Sequence, residues 1–501
     1  MPVVSINVGV KVGSVWETEK EAGLSHLLEH MVFKGTKSFG PGEIATLVEG
    51  SGGEINAYTS LDQTVYFINL SSRYSDLGLK LIKEMVFDGA NSASELAREK
   101  EVVLEEIRRG KDNPHKLVGE ALFGLAYRTH PYGRPVIGFE ATVRNFSRET
   151  VNEFYQRWYV PSNMVLGVCG DFDEGVMRRE IDAQFGTVPD CPVTFPLLPE
   201  EPPPSKPRLL RLSNPVEGTY LNLAFPIPSF THPDIAALDL LSHLLGDGET
   251  SRLEQIVKEK KGLVNNVHSY AFTPRFSGLF VIDVQLPAGK AHKILPAVFE
   301  EIDFFKNNPA PAENLARAKL NLKSSVFYEK ETCEGTARKW MLYETTAGNY
   351  RFEEEYMNAI DRATEYDIRR AANRYLVGSR ASTVLLHPER QKVALTFPQI
   401  VKQKKRPVGK KPYSLVETMG DIHKYRLVNG AVVLLRKNRR VPLISLKMAA
   451  PGGLNRPSKS PKSPSRSRVM WKVIRDAIRG GFRPVFCRTR PKPGWISFAM
   501  C

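Results

Sequence analysis

The chain repeats itself, and that limits what it can fold into. Asn314-Leu315-Ala316-Arg317-Ala318-Lys319 echoes Glu95-Leu96-Ala97-Arg98-Glu99-Lys100 at an offset of 219, and Arg374-Tyr375 echoes Arg157-Trp158 at 217. Leu241-Ser242-His243-Leu244-Leu245-Gly246 falls where the first copy has the helical run Gly23–Phe33. A third copy starts and stops: Pro442-Leu443-Ile444-Ser445 matches Pro2-Val3-Val4-Ser5 and Gly453 matches Gly13, all at an offset of 440. At 501 residues the chain has room for two or three domains of ordinary size. The divisions expected are a first repeat over 1–187, a linker over 188–207 with eight prolines between Pro189 and Pro207, and a second repeat over 208–395. A basic linker over 396–420, the partial third copy over 421–454 and a disordered, basic, low-complexity tail over 455–501 follow.

Upstream of the third copy, Tyr425–Leu435 reads as strand, Asn-Gly turn and strand. Its counterpart in the first copy would precede Met1, so the first repeat is expected to lack its opening hairpin and anything before it. Downstream, Arg466, Val469 and Met470 stand where the first copy has His26, Glu29 and His30. Arg456–Pro464 has neither a helical nor a strand period and reads as disordered. The tail is expected to be a frameshifted or otherwise altered end.

The chemistry concentrates in Gly23–Phe33. At 3.6 residues per turn, His26 and His30 lie one turn apart on one face, so both imidazoles can reach one metal ion. Glu29, beside His30, can lean over that ion as a general base without binding it. Two histidines on an apolar helix face are more often packed residues than ligands, so a third ligand has to decide. Ser94–Ile107 reads as an amphipathic helix with a serine cap at its start, and it carries Glu99 and Glu106 two turns apart on one face. One can bind the ion while the other supports a ligand. Glu101 and Glu105 read as solvated.

The order His26-x-x-Glu29-His30 is the inverzincin signature. Followed by Glu106 after 75 residues, it resembles the zinc site of peptidase family M16, the pitrilysin, insulinase and mitochondrial processing peptidase family. Gly52–Phe67 resembles the family's loop and edge strand beside the metal, and His130-Pro131-Tyr132-Gly133 a loop of its bacterial members. The resemblance implies an α+β fold of two homologous LuxS/MPP-like units, each an antiparallel-rich sheet with helices packed on it. It implies one Zn2+ per chain on His26, His30 and Glu106, with Glu29 as base and Glu99 as a carboxylate behind the ligands. Asn56 and Ala57 would border the substrate. Three protein ligands leave a fourth position for a water whose pKa falls to about 7. Peptides or unfolded segments are then expected to add as a strand against an edge near residues 63–70.

The same resemblance implies a second half, supplying an arginine and a tyrosine seven residues apart that support the developing oxyanion. Here Lys258 and Asn265 stand in those places, so a partner half is expected to supply the pair and this chain alone to be a weak peptidase. Ala318 stands where Glu99 would recur, so the second repeat is expected to have kept the fold and lost the metal, with His243 structural. The alternative is a non-catalytic partner subunit, which would need no ligand set.

Net charge argues little about partners. Of the +15, the segment from Arg456 contributes +11 and the preceding 455 residues only +4. A nucleic-acid-binding arm is the rival reading of that tail, and only non-specific phosphate contacts would follow from it. No apolar run approaches the ~20 residues of a membrane span. The five cysteines have no paired spacing, which argues against a disulfide framework or a thiolate cluster. The compartment stays open.

Overall fold

Val3–Val10 (β1) is buried along nearly its whole length, so both of its faces must be covered. It lies inside a four-stranded antiparallel sheet with Glu54–Thr59 (β2), Thr64–Ser71 (β3) and Met164–Gly170 (β4), in the order β2-β3-β1-β4. The computed structural model describes residues 2–391 and 393–395, with the short stretches 413–420, 422–427, 432–436, 444–448, 486–488 and 496–500. The first repeat's helices are Leu24–Val32 (α1), Glu43–Gly50 (α2), Ser75–Phe87 (α3), Ala93–Asp112 (α4), Pro114–Ala126 (α5), Glu140–Asn145 (α6), Arg148–Trp158 (α7) and Glu174–Phe185 (α8). Val4, Ile6, Val8 and Val10 share one core with Leu24, Leu27, Leu28 and Ile82, so α1 and α3 cover one face of the sheet.

The second repeat builds a five-stranded sheet from Arg208–Asn214 (β5), Thr219–Ile227 (β6), Asn266–Phe272 (β7), Gly278–Leu286 (β8) and Ser382–Pro388 (β9), ordered β5-β9-β6-β8-β7. Only the β5–β9 pairing is parallel. Its helices are Ile235–Gly246 (α9), Ala291–Asn307 (α10), Ala312–Glu329 (α11), Cys333–Ala347 (α12), Phe352–Arg362 (α13) and Glu365–Tyr375 (α14). Leu253–Lys260 is a π-helix.

The second face of β1 is covered by the other repeat. Helix α12 packs on β1 and β4, where Gly9 and Gly167 leave room for Met341. Thr345 hydrogen-bonds the Gln63 side chain, and Asn69 Nδ2 donates to Glu334 Oε2 at 3.1 Å. Reciprocally, α5 packs on β5, β6 and β9 of the second sheet. Arg208 Nη1 donates to the carbonyls of Leu125 and Ala126 at the end of α5, each at 2.8 Å. Each repeat thus lends one helix to its twin, and residues 1–401 form one compact body. Residues 188–207 carry no regular structure but are strapped down: the Phe195 ring packs tilted on Trp16 with centroids 4.7 Å apart, and Glu201 Oε2 accepts from Thr129 N at 2.7 Å.

Four expectations need correction. Residues 63–70 are not an edge: β3 is paired on both sides, by β2 and by β1, and the open edge beside it is β2. The cap of α4 is Ser92, whose side chain accepts from Glu95 N, rather than Ser94. Part of the basic linker is a strand: Tyr413–Met419 (β10) pairs with Ile422–Leu427 (β11), which pairs with Val432–Arg436 (β12). These belong to a separate body, residues 402–501, where Ile444–Met448 (β13), Phe486–Arg488 (β14) and Ile496–Met500 (β15) form a second small sheet. So two short stretches of the segment expected to be irregular are strands. Asn429-Gly430, Pro442-Leu443, Gly453, Arg456–Pro464, Arg466, Val469 and Met470 lie outside the described residues. Among the described residues no helix is long and apolar enough to cross a membrane.

Candidate metal centre

Helix α1 is aimed by its first turn. Gly23 precedes it at φ 97°, and a side chain there would strike the Ile137 carbonyl oxygen at 2.5 Å, so only glycine fits. The first-turn donors have no local cap. Glu17 serves instead, accepting from Gly23 N at 2.8 Å and Ser25 N at 2.7 Å. Burial pushes the Glu17 carboxyl up to about 7, against the lowering effect of those bonds. Leu24, Leu27, Leu28 and Met31 anchor α1 in the core, which leaves His26, Glu29 and His30 on the stripe facing α4 and β2.

There the histidines meet Glu106. His26 Nε2 is 3.7 Å and His30 Nε2 3.8 Å from Glu106 Oε2, and the two rings are 4.8 Å apart between centroids. One donor atom from each of the three lies within 4.8 Å of the others, the one such group of metal-binding residue types among the described residues. Zinc–nitrogen and zinc–oxygen bonds of about 2.0–2.2 Å in a tetrahedron put ligand atoms roughly 3.4 Å apart. The two carboxylate–imidazole separations stand a few tenths of an ångström wider than that, and all three donors lie within 4.8 Å of one another, so side-chain adjustment alone can close two imidazoles and a carboxylate on zinc.

The surroundings suit ligation. Burial, then the neighbouring His30 and Lys116, push His26 down to about 4, so at neutral pH its ring is uncharged and can offer a lone pair. His30 Nδ1 bonds Glu99 Oε2 at 3.1 Å, which leaves His30 Nε2 turned to Glu106. Glu99 is buried, and its other oxygen takes Lys34 Nζ at 2.8 Å. A carboxylate behind a histidine ligand fixes its tautomer and raises its basicity. Glu101 and Glu105 are exposed, and Glu105 engages Arg108 and Arg109.

Glu29 stays outside the three-donor group. The Thr59 hydroxyl on β2 donates to Glu29 Oε2, while burial raises the carboxyl above its ordinary range against the lowering effect of Thr59. The β2–β3 register puts Ala57 and Thr59 on the metal side and Asn56 and Tyr58 on the other. Asn56 Oδ1 accepts from Ala57 N at 2.9 Å, so Asn56 borders this open edge without facing the metal donors. Tyr132 of the His130–Gly133 loop is buried instead, donating to Asp62 Oδ1 of its own repeat at 2.5 Å and accepting from Phe276 N of the second repeat at 3.3 Å.

Thr59, Lys34 and Glu17 were missed by sequence reasoning. Thr59 carried a usable signal, since it lies two residues beyond Ala57 on the same strand face. Glu17 carried none, because it caps from outside the helix.

In the second repeat His243 remains, but Gly246 and Asp247 stand 217 residues after Glu29 and His30. His243 Nδ1 pairs with Asp247 at 2.6 Å and His268 Nε2 with its other oxygen at 3.2 Å. The two imidazoles hold the Asp247 carboxyl well below the usual range. Lys258 pairs with Glu254 at 2.5 Å within the π-helix, and Asn265 N donates to Gln285 O at 2.8 Å.

Two family models match successive parts of the chain. Residues 1–140 match the family described as insulinase (peptidase family M16), and residues 145–322 match the peptidase M16 inactive domain. An uncharacterized zinc protease of Rickettsia bellii is 30% identical over 388 residues, 76% of this chain and 92% of the relative. Zinc protease PqqE of Helicobacter pylori is 28% identical over 397 residues, 77% of this chain and 88% of the relative. The crystal structure of a protease from Helicobacter pylori superposes with a TM-score of 0.74 at 27% identity, covering 77% of this chain and 95% of that one.

Proposed function

Because the chain belongs to peptidase family M16, we propose that it is a zinc-dependent metalloendopeptidase acting on peptides or unfolded segments. The observation that carries this reading is the convergence of His26, His30 and Glu106 with Glu29 beside them. His26, His30 and Glu106 would hold the zinc, and the ion would supply a Lewis acid able to acidify water and polarise a peptide carbonyl. Glu29 takes the water's proton at Oε1 and returns it to the leaving amine, while Thr59 fixes Oε2. The substrate backbone adds to the open edge of β2, bordered by Asn56 and Ala57, which makes main-chain pairing the chief source of affinity. The second repeat shapes the fold without a metal. A partner half supplies the arginine and tyrosine that Lys258 and Asn265 replace here.

Purified chain is expected to carry one zinc and to hydrolyse a quenched peptide library slowly. Folded protein that takes up no zinc from a metal buffer would remove the reading and favour a scaffold. Glu99→Ala is expected to weaken zinc binding by about 10–100-fold, measured by competition with a chromogenic chelator, because His30 loses the group that orients it. Unchanged affinity would detach Glu99 from the centre.

A further inference from the structure

We propose that Cys169 and Cys333 form a reversible disulfide that staples the borrowed helix α12 to the first repeat's sheet. The two lie 164 positions apart in the chain, which hides their relation. Cys169 is on β4 and Cys333 is the first residue of α12, and these two rigid elements already pack together. Both cysteines are free and half-buried, and they line one open cleft with Pro2, Gly170 and Asp171. Gly170, at φ 148°, leaves the rim of the cleft without a side chain, so a small oxidant reaches the pair from solvent.

Burial and the neighbouring sulfur push Cys169 up to about 11, so it keeps its proton and acts as the resolving thiol. A peroxide is the oxidant. It takes two electrons from the Cys333 sulfur, giving a sulfenic acid and one water. The Cys169 sulfur then attacks that sulfur: the S–S bond forms, the S–O bond breaks, and the hydroxyl leaves with the Cys169 proton as a second water. A dithiol returns both electrons and restores the thiols.

The test is peptide mapping of the full chain after treatment with stoichiometric hydrogen peroxide, alkylation and digestion without reductant. The expected product is one linked peptide pair joining Cys169 to Cys333, two hydrogens lighter than the separate peptides and released by dithiothreitol. Oxidation should raise the thermal midpoint by on the order of 5–10 °C, since the link closes a long loop in the unfolded chain. That rise should vanish in Cys333→Ser and in Cys169→Ala. Alkylation of both cysteines after peroxide, separate oxidation of each to sulfinic acid, or linkage to Cys191, Cys487 or Cys501 would overturn the proposal. The wild-type map decides it even where a variant folds poorly.

Discussion

Glu29→Gln is expected to lower peptide hydrolysis by about 10²–10⁴-fold while leaving zinc at the wild-type level. Glutamine keeps the shape, and its carbonyl oxygen can still accept from Thr59, but the atom aimed at the substrate is no longer a base. Metal content should hold because Glu29 contributes nothing to the three-donor group formed by His26, His30 and Glu106. The measurement pairs quenched-peptide hydrolysis with metal analysis on the same samples. Full activity in the variant would remove Glu29 from the reaction. Loss of zinc together with activity would make it a structural support of the site instead.

The second large effect is on stability. Glu17→Ala should cost about 2–4 kcal/mol, because the buried N–H groups of Gly23 and Ser25 lose their acceptors. Glu17→Gln keeps an acceptor oxygen and abolishes the titration. In the folded chain the Glu17 carboxyl is raised from 4.5 to about 7, so folding favours its protonated form. Its stabilising contribution is therefore complete below pH 4.5 and is lost as pH rises through 7, an amount on the order of 3 kcal/mol. Denaturant titrations of wild type and Glu17→Gln should thus diverge across that interval, the wild type falling relative to the variant. Parallel curves would show that burial does not control this group.

The donor helix and its glutamate partner were legible because a helix writes its faces into sequence at fixed spacing: His26 and His30 one turn apart, Glu99 and Glu106 two. The sheet was harder. Glu54–Thr59 and Thr64–Ser71 both read as strands, and which of them is outermost depends on β1 arriving from far away in sequence, so β3 was mistaken for the edge. The cap of α4 slipped from Ser92 to Ser94 because both serines precede the same apolar period. Glu17 acts on α1 from outside any local motif. Cysteine spacing said nothing of Cys169 and Cys333, since only the packing of α12 brings them into one cleft. The repeat itself was plain from echoed residues, but not the exchange of helices between its copies.

That exchange has a thermodynamic consequence. The inward side of α5 (Val118, Leu122 and Ala126) and that of α12 (Ala337 and Met341) are sequestered on foreign sheets, so neither half owns a closed interior. Separated at the proline strap, each would bare a strip of strand and an orphaned amphipathic rod to solvent. Residues 1–401 are therefore expected to melt in one calorimetric transition rather than two, and a lesion in the second repeat to reach the first as lost cooperativity rather than as a lost contact.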